Sequence, residues 1–169
     1  MKVIVNDANI LIDLVELKLL PHFFALEFEF LTTELVLAEL FEEQYQSLLP
    51  YIDNGKLIVH EMTGDDLTEI YLIQAAKPRL SEQDCSAFYQ ARQHTATLIT
   101  SDNPLRAFAK EQQLEVHGHL WVFDRMVETD TITGSRACEK LSELCETINP
   151  KLGLPKAECA KRIKLWSNF

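Results

Sequence analysis

Four carboxylic acids stand where they could do metal chemistry: Asp7, Glu39, Asp84 and Asp102. Asp7 follows the β-branched run Lys2–Asn6, and Asp102 follows Thr97–Thr100, so each sits just past a strand signal. Each also suits a helix N-terminus, where an acid meets the macrodipole. Asp84 ends Ser81-Glu82-Gln83-Asp84, the spacing of a capping box. It also heads the apolar face formed by Ala87, Phe88 and Ala91, which turns it toward a sheet edge rather than bulk water. Glu39 follows Leu35 and Val36 at helical spacing; its ordinary alternative is a solvated surface acid. If the four converge, they repel one another and their pKa values rise. Hard divalent cations relieve that repulsion. Mg²⁺ takes one or two carboxylates plus water and phosphate oxygens. Two ions about 3.5–4 Å apart would activate a water and stabilise the leaving oxygen in phosphodiester hydrolysis.

The elements that must position these acids are legible from periodicity and punctuation. Strand signals occur at Lys2–Asn6, Phe28–Leu31, Leu57–Glu61, Thr97–Thr100 and Glu115–His117. Helical stretches are expected over Ala8–Leu17, Leu35–Tyr45 behind an N-cap at Thr33, a piece ending near Asp53, and Gly64–Ala76. Further helices are expected over Ser81–His94, Asn103–Gln113, Leu120–Glu128, Ser135–Thr147 and Lys156–Trp166. Alternating strands and helices predict a mainly parallel sheet covered on both faces. In such sheets the functional crevice lies past the carboxyl ends of the strands.

Composition narrows the function. The 169 residues, 47% hydrophobic and 25% charged, supply one domain's worth of chain with no need of a disulfide or metal staple. The net charge is −10. Residues 151–169 hold five basic residues against Glu158, a net of +4, which leaves −14 for residues 1–150. So acidic a body is a poor general coater of nucleic acid but suits metal ions or a basic partner. Cys138 and Cys145 lie roughly 10 Å apart along one helix, too far for a disulfide, and no C-x-x-C spacing occurs. The start turns polar at Asn6-Asp7, too soon for a signal peptide, and no apolar run is long enough to span a membrane, so a cytoplasmic location is expected.

With these acids in this order, the chain resembles the PIN domain nucleases. The matching pieces are Val5-Asn6-Asp7-Ala8-Asn9-Ile10-Leu11-Ile12-Asp13, Leu35-Val36-Leu37-Ala38-Glu39-Leu40, Leu80-Ser81-Glu82-Gln83-Asp84 and Leu98-Ile99-Thr100-Ser101-Asp102. They cover roughly the first 125 residues. The resemblance implies a three-layer α/β/α fold whose central five-stranded sheet has the order 3-2-1-4-5, with extra C-terminal helices. It implies a nuclease domain over 1–128 and a helical extension over 129–169 packed on it. It implies Asp7, Glu39, Asp84 and Asp102 as catalytic, metal-binding acids, with Asn9, Thr100 and Ser101 in support. The implied activity is Mg²⁺- or Mn²⁺-dependent hydrolysis of RNA. Family members of this length are often VapC-type toxins, which implies a homodimer and a small antitoxin that sets basic residues against the acids.

Other residues invite weaker readings. Asp13 reads as a surface or capping acid rather than a ligand, and Arg92 and Arg106 as surface salt-bridge partners more readily than phosphate contacts. His117-Gly118-His119 has the spacing of a metal pair in a strand but no accompanying carboxylate, so a plain strand end is favoured. Phe23, Phe24, Phe28 and Phe30 read as core or interface rather than a base-stacking platform. The basic tail is expected to fold back on the acidic body rather than bind RNA. Two other functions compete with the nuclease: a catalytically silent PIN-like scaffold, and a phosphoacceptor receiver domain. The receiver reading is disfavoured because only one acid follows the first strand and no Lys follows the fifth.

Overall fold

Apolar residues that alternate sides along each strand divide the molecule into two cores. In a computed structural model describing residues 1–168, Ile4, Phe30, Leu57 and Ile99 point to one face of a sheet, and Val5, Leu31, Leu98 and Val116 to the other. The strands are β1 (Lys2–Asn6), β2 (Phe28–Thr33), β3 (Leu57–His60), β4 (Thr97–Ile99) and β5 (Val116–His117). They pair in parallel in the order β3-β2-β1-β4-β5. Helices cover both faces, giving the three-layer α/β/α architecture that the resemblance implied. Strand order reverses at β1, so the crevice past β1 and β4 is the topological switch point.

The helices on the first face are α1 (Ala8–Glu16), α2 (Leu20–Phe24), α4 (Glu42–Asp53), α8 (His119–Glu128), α9 (Gly134–Glu143) and α10 (Lys156–Trp166). On the second lie α3 (Glu34–Leu37), α5 (Gly64–Ala76), α6 (Glu82–Gln93) and α7 (Asn103–Glu111). Phe23 and Phe30 are fully buried and Phe24 nearly so, stacked edge to face in the first core, as their spacing suggested.

Three departures from the expected elements have local causes. The five-residue α2, with Pro21 near its start, is too short to show a helical period. The helix expected over Leu35–Tyr45 breaks after Leu37. Glu39 and Leu40 donate to the carbonyls three residues back, tightening the turn, and Phe41 is extended. A fresh start follows: Gln44 Oε1 accepts from Phe41 N–H at 2.9 Å, and Glu42 and Glu43 occupy the first turn. Finally, the helix expected over Ser135–Thr147 becomes a π-helical turn over Leu144–Ile148.

The C-terminal helices join the first core. Trp166 is 1% exposed, stacks on Phe123 and donates Nε1–H to Asp124 Oδ1 at 3.1 Å. Arg162 pairs with the same carboxylate at 2.9 Å, so the basic tail does contact the acidic body. Phe169, the end of the expected extension, lies outside the described residues.

Replacing Trp166 by Ala removes a buried aromatic and a hydrogen bond. It is expected to cost about 3–5 kcal/mol in urea unfolding and to expose α10 to limited proteolysis first. A change below 1 kcal/mol, on the order of a surface substitution, would mean the tail is not part of the cooperative unit.

Candidate active site

The residue after β1 continues the sheet before it opens a helix. Asp7 N–H donates to Ile99 O at 3.0 Å, which seats Asp7 against β4. Its carboxylate is the N-cap of α1 and accepts from Ala8 N–H at 2.9 Å. The second oxygen accepts from the Thr100 hydroxyl at 2.7 Å. Thr100 Oγ1 in turn accepts from Asp102 N–H at 3.1 Å. One buried hydroxyl thus sets two acids from distant parts of the chain. Asp102 caps α7, its Oδ2 accepting from Leu105 N–H at 2.9 Å.

Asp84 and Glu39 arrive on the second face. Ser81 and Asp84 form the capping box that the spacing suggested, with both bonds at 3.0 Å. The register of α6 is pinned from β2: Thr33 donates to Ser86 Oγ at 2.8 Å, while Ser86 donates to Gln83 O at 2.7 Å. Thr33 also caps α3. Glu39 sits in the turn after α3 rather than inside a longer helix, and this break lets it face the crevice.

The structure brings Asp7, Glu39, Asp84 and Asp102 to the rim of one open cavity of about 420 Å³, with Asn9 and Ser81 beside them. Among the described residues, no Lys, Arg or His lines it. Burial, followed by the nearby Asp84 and Glu39, drives the Asp7 carboxyl up to about 7 against the opposing Thr100 and Ala8 hydrogen bonds. Glu39 is raised by partial burial and by Asp84 and Asp102. Asp84 is raised by burial and Asp102, against the Ser81 N–H. Among the described residues, no group of three or more His, Cys, Asp or Glu side chains is placed to hold one metal ion. The donor set is all carboxylate, with Asp7 buried and Glu39, Asp84 and Asp102 nearer the cavity mouth. It fits a hydrated hard cation that keeps several waters, and not a dehydrated structural metal.

Asn9 and Thr100 stand beside the acids, Asn9 Oδ1 accepting from Ser101 N–H at 3.4 Å. Ser101 therefore contributes its backbone here, while its side chain lines a neighbouring cavity. Several other expectations are corrected. Asp13 is no surface acid: it is 4% exposed, and its Oδ2 meets His119 Nε2 at 2.8 Å and Asn149 Nδ2 at 3.1 Å. This network joins α1, α8 and the end of the π turn, far apart in sequence. His117 and His119 part company. His117 stacks on Trp121 and meets Glu115, whereas His119 turns into the core. Neither arginine makes an ion pair among the described residues. Arg92 lies over the Phe88 and Tyr89 rings, and Arg106 Nη1 donates to Thr100 O at 3.1 Å. The Arg92 contacts lie at the three- and four-residue spacing of the expected helix and were open to a periodicity argument, whereas the Asp13–His119 and Asp13–Asn149 contacts are long-range and were not.

A family model described as a PIN domain matches residues 3–166 of the chain. No curated protein is matched. The matched stretch runs through α10. No helix is long and apolar enough to cross a membrane among the described residues.

Two outcomes are expected from this geometry. In metal-free protein, the folded state keeps a proton on Asp7 between its ordinary value of 3.8 and about 7, where the unfolded chain has released it. Stability therefore falls as pH rises through that window. Asp7→Asn removes the dependence. In urea unfolding with chelator near pH 8, the variant should exceed the parent by on the order of 2–4 kcal/mol, with little or no gain near pH 4. A difference that does not vary with pH would mean that Asp7 titrates as in the unfolded chain. Asp13→Ala, by contrast, leaves buried His119 and half-buried Asn149 without their acceptor. It should destabilise by about 1–3 kcal/mol and leave any metal-induced thermal shift intact.

Proposed function

This chain belongs to the PIN domain family, a nuclease fold, and on that premise we propose that it is a divalent-metal-dependent endoribonuclease. The observation that carries the reading is the convergence of four acids from four segments on one cavity free of basic lining residues. In this reading Asp7, Glu39, Asp84 and Asp102 hold Mg²⁺ or Mn²⁺. The bound ions supply a water of lowered pKa and charge stabilisation at the leaving oxygen. Thr100 orients Asp7 through its hydroxyl and Asp102 through that group's N–H, while Asn9 ties the segment after β4 to α1. Asp7, whose carboxyl is raised to about 7 without metal, would have to be ionised to hold a cation, so affinity would rise with pH.

We further infer a toxin of a type II toxin–antitoxin pair, acting as a homodimer. An acid-lined cavity without its own cation suits an antitoxin segment that inserts Arg or Lys and displaces the metal. The competing reading is a PIN-like scaffold without turnover.

The test joins catalysis to metal linkage. Purified chain should cleave single-stranded RNA with Mg²⁺ or Mn²⁺ and not with chelator. Asp7→Asn and Asp102→Asn should lose more than the roughly 10–100-fold expected for a supporting group such as Thr100→Val. Millimolar metal should raise the parent's Tm and leave that of Asp7→Asn nearly unmoved. Cleavage surviving both Asn variants removes these acids from the reaction, and no thermal shift would favour the scaffold.

A further inference from the structure

The segment Ser101–Asn103 separates two cavities. Asp102 lines the acidic one, whereas Ser101 and Asn103 line a second, of about 330 Å³. The same cavity is lined by Arg106, in the first turns of α7 beside that segment, and by Arg162 from α10. Arg162 is committed to Asp124 at 2.9 Å and Glu158 at 2.8 Å. Arg106 has no carboxylate among the described residues, and one arm of its guanidinium is fixed by Thr100 O at 3.1 Å. The position is built for it. Gly118 lies beneath the guanidinium, and a Cβ there would come within 2.5 Å of Nη1 and 3.4 Å of Thr100 O. Gly118 is extended, with φ −124°, so its backbone conformation does not call for glycine, and a side chain there would instead push the guanidinium aside. A seated arginine with uncommitted donors, one strand end away from the four acids of the proposed metal site, is the arrangement that receives a phosphate.

We propose that Arg106 clamps a backbone phosphate of the RNA strand next to the scissile bond, and that the Arg106 cavity is the substrate channel leading away from the acids. The proposal rests on the nuclease reading above and deepens it. It also answers how a chain of net charge −10 holds a polyanion: attraction is concentrated at one fixed guanidinium beside the metal site. Because Arg106 also touches the carbonyl of Thr100, which orients two acids, it could act on the reaction through that residue instead. The two roles separate kinetically: a clamp sets KM and salt dependence, and a positioning contact sets kcat.

The test uses a fluorescent single-stranded oligoribonucleotide with Mg²⁺ or Mn²⁺ and full-length chain. Arg106→Gln should raise KM about tenfold or more with kcat changed far less. The slope of log kcat/KM against log salt should become shallower by about 0.7, the value of one phosphate contact on a single strand. Arg106→Lys should restore the slope while recovering only part of the affinity, and Gly118→Ala, which displaces the guanidinium, should raise KM in the same direction. An unchanged KM and slope, or a loss confined to kcat, overturns the clamp while leaving the nuclease intact. If the parent cleaves no RNA, anisotropy binding of the same oligonucleotide decides independently. Weaker binding by Arg106→Gln supports the clamp, and equal binding or none by the parent overturns it.

Discussion

Burying a carboxylate beside other carboxylates is the constraint on which this structure turns. Asp7 is 2% exposed, and burial and its acidic neighbours both disfavour its charge. The fold tolerates this because the group is fully engaged: one oxygen accepts from Ala8 N–H and the other from Thr100. Such an acid is stable when protonated or when a cation neutralises it, and strained when ionised alone. In the proposed reading, the cost of the ionised Asp7 carboxylate is what a bound hard cation would relieve.

Thr100 distributes that constraint. Its hydroxyl donates to Asp7 and accepts from Asp102 N–H, and its carbonyl receives Arg106. A single fully buried residue just past β4 therefore couples Asp7 at the start of α1 to Asp102 and Arg106 of α7. Reversal of strand order at β1 makes this economical, since it leaves a crevice between the ends of two adjacent parallel strands. The second face supplies the remaining acids through a comparable chain, in which Thr33 fixes Ser86 and so the helix bearing Asp84. On the opposite face, the bonds of buried Asp13 to buried His119 and half-buried Asn149, together with Trp166, tie the C-terminal helices to the first core, so the layer behind α1 is braced from far along the chain.

What could be read without coordinates was whatever local chemistry decides. Strand β1 and helices α5 and α10 have the bounds that periodicity and capping assign them, because a capping residue such as Thr63 satisfies orphan N–H groups within its own turn. The Ser81–Asp84 box was visible for the same reason. Where two local signals competed, the pattern misled. Leu35–Tyr45 carries a continuous apolar period, yet Gln44 supports a second start, and the chain takes the break that puts Glu39 at the crevice.

The sequence by itself thus determined the alternation of strands and helices and the presence of acids at strand ends, since both follow from near-neighbour sterics and hydrogen bonding. Only the tertiary structure decided that Asp13 is buried against His119, that Arg106 rests on Gly118 without an acid, and that the four acids share one cavity. Those outcomes depend on contacts between residues as many as 106 positions apart. Their energies exist only once the sheet has brought the segments together, and no local pattern encodes them.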